Sequence, residues 1–262
     1  MTRTMVLLHG AFVGGWCWEP FAAHFRAAGW HCLTPDLRHH EPGASLDALG
    51  RTGLNDYASD IAALIRALPE PPVLVGHSMG GLVCQKLAAE GLAAALVLLA
   101  PSPPWGLFSL TQGEIEARFG LLAAGAFWHR ALHPSFRVAA SHALDKLDPA
   151  TQRDAFARFV PESGRALFEI LYWPLDFTRA SAIDSRAIQC PVLFGVGSED
   201  RVVPPTTVRT ASRRYRGRVT YEEFDGHSHF LFGEPGFERI LAFCDAWLAQ
   251  ALDATKHRPT AD

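Results

Sequence analysis

Short apolar runs alternate with longer stretches of helical spacing at both ends of this chain, and the alternation lapses in the middle. Residues 5–8 are all apolar and predict a buried strand. Over 16–28, Trp16, Phe21, Phe25 and Ala28 fall on one helical face, and Gly29 follows as a stop signal. A second strand is expected at 31–34, left by Pro35-Asp36, with a loop over 39–51. Tyr57, Ile61, Leu64, Ile65 and Leu68 make an amphipathic stripe over 53–68, with Asn55 or Asp56 as candidate N-cap. An apolar run at 73–75, a helix over 82–90 and an apolar run at 95–100 complete this half. Strand and helix in alternation predict a parallel sheet with helices on both faces.

From 101 to about 186 no strand is expected. Helices over 112–129, 134–146, 149–159 and 162–172 are punctuated by prolines at 134, 149, 161 and 174. The stretch is too long for a loop and reads as a helical insertion lying on the sheet. The alternation then resumes with a strand at 192–196, a helix over 205–215, a strand at 219–224 and a helix over 234–252. The expected fold class is α/β, a mostly parallel sheet flanked by helices, with a helical cap inserted between two strands. Residues 1–102 and 187–253 form the expected core and 103–186 the cap. The polar segment 254–262 is expected to be a disordered tail.

Composition narrows the class. The length of 262 residues suits one large α/β domain. With 24 basic and 27 acidic residues and no basic stripe, nucleic acid is not an expected partner. Cys17, Cys32, Cys84, Cys190 and Cys244 are scattered and lack Cys-x-x-Cys spacing, which reads as reduced thiols in a cytoplasmic protein. The first apolar run is too short for a signal peptide or a membrane span. His39, His40 and Glu41 lack further spaced ligands and read as a solvated loop, not a metal site.

The chemistry gathers around 73–81, Val-Leu-Val-Gly-His-Ser-Met-Gly-Gly. A strand, the pattern Gly-x-Ser-x-Gly and then a helix place Ser78 on a sharp turn, with backbone N–H groups at a helix N-terminus beside it. A serine hydroxyl needs a base, and the base an orienting acid. After the apolar run 192–196 stand Glu199 and Asp200, and after 219–224 stand His227 and His229. Ends of later strands are where open α/β sheets assemble their sites. Among the aromatics of the insertion, Trp105, with Trp128 and Trp173 as alternatives, is a candidate to face a substrate.

In these motifs the chain resembles the α/β-hydrolase superfamily, from residue 5 to about 252. The matching pieces are His9-Gly10 after the first strand, 76–81, 197–204, and His229 followed by Glu234-Pro235. The family's Gly-x-x-Asp-x-x-x-Pro pattern selects Asp200 over Glu199 as the acid. Its spacing of five residues from histidine to acid-proline selects His229 over His227. The opening 9–18 is similar to that of plant methylesterases and hydroxynitrile lyases, a group with a six-stranded sheet. That resemblance implies an oxyanion hole built from the N–H groups of Ala11 and Met79, with Phe12 lining the pocket. In the loop over 39–51 the family often has a glycine where His39 stands.

The resemblance implies a hydrolase acting on a small-molecule carboxylic ester, with no cofactor or metal, as a monomer or homodimer. Dehalogenases and epoxide hydrolases of similar fold use an aspartate where Ser78 stands. The lyases use a lysine close to the catalytic histidine, and the ten residues after His229 contain none. Thioesterase, amidase, lactonase or carbon–carbon hydrolase chemistry would keep the same three residues. A non-catalytic ligand receptor is the alternative outside enzymology.

Overall fold

Six strands stand parallel in one sheet of the computed structural model: Thr4–Leu8 (β1), His31–Leu33 (β2), Val73–His77 (β3), Ala95–Leu99 (β4), Val192–Gly197 (β7) and Val219–Phe224 (β8). Their order is β2-β1-β3-β4-β7-β8. The structure describes residues 3–108, 121–122 and 125–256. All residues of β3 and β4 are buried, as expected for uninterrupted apolar runs at the centre of a sheet covered on both faces. Edge strand β8 is half-buried instead. Leu8 stands beside Gly76, and Gly197 beside Phe224, so the loops leaving β1, β3, β7 and β8 emerge along one rim.

The flanking helices are Glu19–Ala27 (α1), Leu46–Arg51 (α2), Leu54–Arg66 (α3), Ser78–Ala89 (α4), Pro205–Ser212 (α7) and Phe237–Lys256 (α8). On α1, Phe21 and Phe25 are buried as their spacing predicts, while Ala28 lies exposed beyond the helix end. On α3, Tyr57, Ile61 and Ile65 are buried. Its N-cap is Gly53, not Asn55 or Asp56, and the Asp56 carboxylate accepts the Gly53 N–H at 2.8 Å. Helix α2 falls in a stretch expected to be a loop. Its N-cap Ser45 accepts the N–H of Ala48, and its Gly50 lies against the backbone at Arg130. The insertion beneath which it packs is what makes so short a helix stable.

The insertion between β4 and β7 is mainly helical. It contains helical turns at Phe136–Val138 and Ala139–Ala143, and helices Pro149–Phe156 (α5) and Gly164–Leu171 (α6). The helix expected over 112–129 falls largely outside the described residues; at its end Phe127–His129 forms one 3-10 turn. Contrary to expectation the insertion also contains strand. Ala131–Leu132 (β5) and Glu162–Ser163 (β6) pair antiparallel, with Leu132 opposite Glu162. Two-residue strands leave no periodicity to read. Among the described residues no helix is long and apolar enough to cross a membrane.

Candidate active site

Ser78 is the first residue of α4 and follows β3 directly, at φ 50. The helix therefore begins four residues earlier than its apolar spacing suggests. The left-handed backbone is costly for a non-glycine residue, on the order of 1–3 kcal/mol, and persists only where the surroundings enforce it. Here the end of β1 enforces it. A Cβ on Gly80 would lie 2.3 Å from the His9 carbonyl oxygen, so only glycine admits this approach. One on Gly10 would lie 3.0 Å from the Ser78 Cβ. The loop that leaves β1 thus runs against the serine. The N–H groups of Ala11, in that loop, and Met79, in the first turn of α4, have no partner among the described residues.

Two later strands deliver the acid and the base. After β7, Asp200 turns inward and is 5% exposed. Its Oδ1 accepts the N–H groups of Val202 and Val203, both at 2.8 Å, which fixes the carboxylate plane. Its Oδ2 accepts the Nδ1–H of His229 at 2.8 Å. That bond sets the tautomer and leaves Nε2 of His229 free to take a proton. The His229 backbone is itself held, because its carbonyl accepts Nε2–H of His77 at 2.9 Å. Glu199 points to the surface and pairs with Lys146 at 2.6 Å.

His227 has a different task. Its Nδ1 faces Oε2 of Glu234 at 3.1 Å, and the same oxygen accepts the Ser228 N–H at 2.8 Å. Glu234, buried with its charge disfavoured and its pKa raised, closes the loop that carries His229. The acid that served as a spacing landmark in the sequence is thus the latch of that loop.

The loop from β1 is pinned by residues whose protonation can be read from their partners. Nδ1 of His9 donates to the Gly10 carbonyl at 2.8 Å, and Nε2 accepts the Leu37 N–H at 3.0 Å, so this ring is neutral. Burial and the neighbouring His40 push its pKa down to about 4. His40 is a correction to the expected solvated loop, because it is 4% exposed. Its Nδ1 donates to the carbonyls of Leu37 and Arg38, and its Nε2 donates to Glu162 at 3.0 Å. With acceptors at both nitrogens the ring carries both protons. Burial opposes the charge, but the Glu162 carboxylate outweighs it and raises the pKa. His39 takes φ 65, a backbone that glycine adopts freely. Among the described residues no group of three or more metal-ligating side chains gathers.

Phe12, also in the left-handed region at φ 66, is half-buried beside Ala11. Its carbonyl accepts the N–H of Val160 at 2.9 Å, which brings the insertion down onto this loop. Trp105, on the segment leaving β4, packs against Trp173 with 4.7 Å between ring centroids, and the Arg179 guanidinium lies 4.3 Å over its ring. Trp128 packs instead on Phe127 and Phe168.

A serine strained at a strand–helix turn, served by a histidine–aspartate pair from two later strand ends, defines the serine-hydrolase type of α/β hydrolase. Residues 5–240 match the Alpha/beta hydrolase family, and the chain belongs to it. A pyrethroid hydrolase of Sphingobium wenxiniae is 25% identical over 280 aligned positions, covering 99% of this chain and 94% of that enzyme. The crystal structure of a methylesterase from Arabidopsis superposes with a TM-score of 0.72 at 16% identity, covering 95% of this chain and 99% of its own. Tomato methylketone synthase I bound to 2-tridecanone superposes with a TM-score of 0.74 at 19% identity, covering 96% and 99%. These two likenesses concern the fold.

Proposed function

We propose that the protein cleaves a carboxylic ester through an acyl-enzyme on Ser78. The observation that carries this reading is the 2.8 Å bond from His229 Nδ1 to Asp200, which makes Nε2 the ring nitrogen available for proton transfer on a ring 4.6 Å from that of His77 in the elbow. In the first half-reaction Ser78 attacks the ester carbonyl while His229 Nε2 takes the hydroxyl proton. Asp200 holds the imidazole and stabilises its charge. The N–H groups of Ala11 and Met79 receive the tetrahedral oxygen, and losing either costs about 3 kcal/mol of transition-state stabilisation. His229 then protonates the departing alcohol. In the second half-reaction water, activated by the same nitrogen, releases the acid and restores Ser78.

The names of sequence relatives support ester cleavage: one is a pyrethroid hydrolase and another a carbendazim hydrolyzing esterase. Residues 103–186 serve as the cap that admits substrate, with Phe12 beside the reacting carbonyl and Trp105 on the cap side. The substrate is a small molecule with an acyl or aromatic group. Five free cysteines, four of them buried, support a cytoplasmic setting. The test is turnover of p-nitrophenyl esters of rising chain length, with amide and thioester counterparts. Ser78→Ala should abolish turnover and leave the fold intact. Normal hydrolysis by that variant would exclude the assignment.

A further inference from the structure

Glu162 belongs to the cap, is fully buried and takes no part in the triad. Its Oε1 accepts the Tyr57 hydroxyl at 2.8 Å and the Ser163 N–H at 2.7 Å. Its Oε2 accepts Nε2–H of His40 at 3.0 Å and the N–H of Phe12 at 3.4 Å. Two residues earlier in the chain, Val160 donates to the Phe12 carbonyl at 2.9 Å. One short stretch of the cap therefore holds Phe12 by both its backbone groups. That residue needs holding, because at φ 66 its backbone is strained and would relax if released. Ala11, whose N–H has no partner among the described residues, is the next residue back.

A buried carboxylate is an expensive way to hold one amide. It is tolerable only when paired and hydrogen-bonded, and here an imidazolium, a phenol and two backbone N–H groups surround it. An ionised acceptor also binds an N–H more strongly than a neutral one. The carboxylate is anchored to the core through Tyr57 on α3 and His40 on the loop after β2, so it does not drift with the cap surface.

We propose that Glu162 is a positioning residue for the oxyanion hole. Braced by His40 and Tyr57, it fixes the peptide at Phe12 and thereby aims the N–H of Ala11 at the developing oxyanion. The inference rests on the assignment of Ala11 and Ser78 made above. It makes closure of the cap a condition of transition-state stabilisation, because the brace comes from both sides of the cap–core boundary.

The experiment compares Glu162→Ala, Glu162→Gln and Tyr57→Phe with the wild type. It reads kcat and KM on a p-nitrophenyl ester, thermal midpoint, and inhibition by phenylboronic acid, whose tetrahedral serine adduct places an oxygen in the oxyanion hole. The expected kcat falls are about threefold for Tyr57→Phe, about tenfold for Glu162→Gln and about a hundredfold for Glu162→Ala, with KM within about twofold. The boronate inhibition constant should rise in proportion to the loss in kcat, as it must when an interaction is made chiefly in the transition state. A loss confined to KM or to the thermal midpoint, or an unchanged kcat in the folded variants, would overturn the proposal. Should Glu162→Ala fail to fold, the other two variants decide by the same criteria. Ser78→Ala is measured in parallel. If it still turns over, the reading of the site fails together with the proposal; if it is inactive while the Glu162 variants keep full kcat, the proposal alone fails.

Discussion

His77 donates from Nε2 to the backbone carbonyl of His229 across 2.9 Å, so the residue before the serine supports the residue paired with Asp200. The two rings lie 4.6 Å apart. This bond uses the one proton of a neutral imidazole, and Nδ1 of His77 is buried without a hydrogen-bond partner among the described residues. Burial and the neighbouring His229 keep the His77 pKa well below the ordinary histidine value. His9, neutral at the end of β1, behaves alike, with a pKa lowered to about 4.

A pH dependence of stability follows. Unfolded, His9 takes up a proton near pH 6.5, but the native state refuses it until about 4. Its contribution is thus present in full above about pH 6.5 and is lost as the pH falls toward 4, by about 3 kcal/mol. The His40–Glu162 pair adds no slope between the ordinary values of the two groups. The raised His40 loses its contribution only as the pH climbs above 6.5, and the lowered Glu162 only as it falls below 4.5. Urea denaturation from pH 7 to 4.5 should show a markedly flatter slope in His9→Gln than in the wild type. Equal slopes would refute the assignment of a neutral His9.

Asp200 and its neighbour Glu199 make opposite predictions. Asp200→Asn retains the bonds from Val202 and Val203 but presents an amide where His229 Nδ1–H needs a charged acceptor. A kcat loss of about 10³- to 10⁴-fold is expected, with little change in KM. Glu199→Gln breaks only the exposed contact to Lys146, and kcat should stay within about twofold. Steady-state kinetics on one ester separates them, and the reverse ranking would move the acid to Glu199.

Gly80 tests the packing that strains the serine. In Gly80→Ala the new methyl meets the carbonyl oxygens of His9 and Leu8 at 2.3 and 2.4 Å, both backbone atoms that cannot swing aside. A destabilisation of about 3 kcal/mol is expected, with a fall in kcat as the β1 loop is pushed from the elbow. Gly217→Ala is the control, since its Cβ would meet only the Ile188 carbonyl at 3.9 Å. It should stay within about 0.5 kcal/mol of the wild type. Equal thermal midpoints for the two variants would show that the contact bears no load.

Legibility divided along a physical line. The sheet, the elbow and the acid and histidine loops were readable because each is a local pattern: an apolar run, then turn residues at fixed spacing. The start of α4 was misplaced because Ser78, Gly80 and Gly81 are poor helix formers, and tertiary contact with β1 overrides their preference. Helix α2 was missed because its six residues complete fewer than two turns, too few for an apolar position to recur on one face. Strands β5 and β6 were missed because two residues cannot alternate visibly. His40 was misread for a deeper reason. Its partner Glu162 lies 122 positions further along, and nothing near either residue announces the pair. Asp200 lies as far from Ser78 along the chain as Glu162 does from His40, but recurring motifs mark the residues around the elbow and the two later loops.

The insertion between β4 and β7 also imposes an order on synthesis. Leu96 pairs with Val192, so the sheet cannot be completed until the ribosome has added the whole intervening segment. During that interval β4, buried on both faces in the finished protein, stands as an uncovered edge, which is the kind of surface that recruits other chains. The proposed nucleophile Ser78 is made early, whereas Asp200 and His229 emerge late. A nascent chain therefore carries its serine unarmed through most of translation, and chaperone protection is needed most between the emergence of β4 and that of β7.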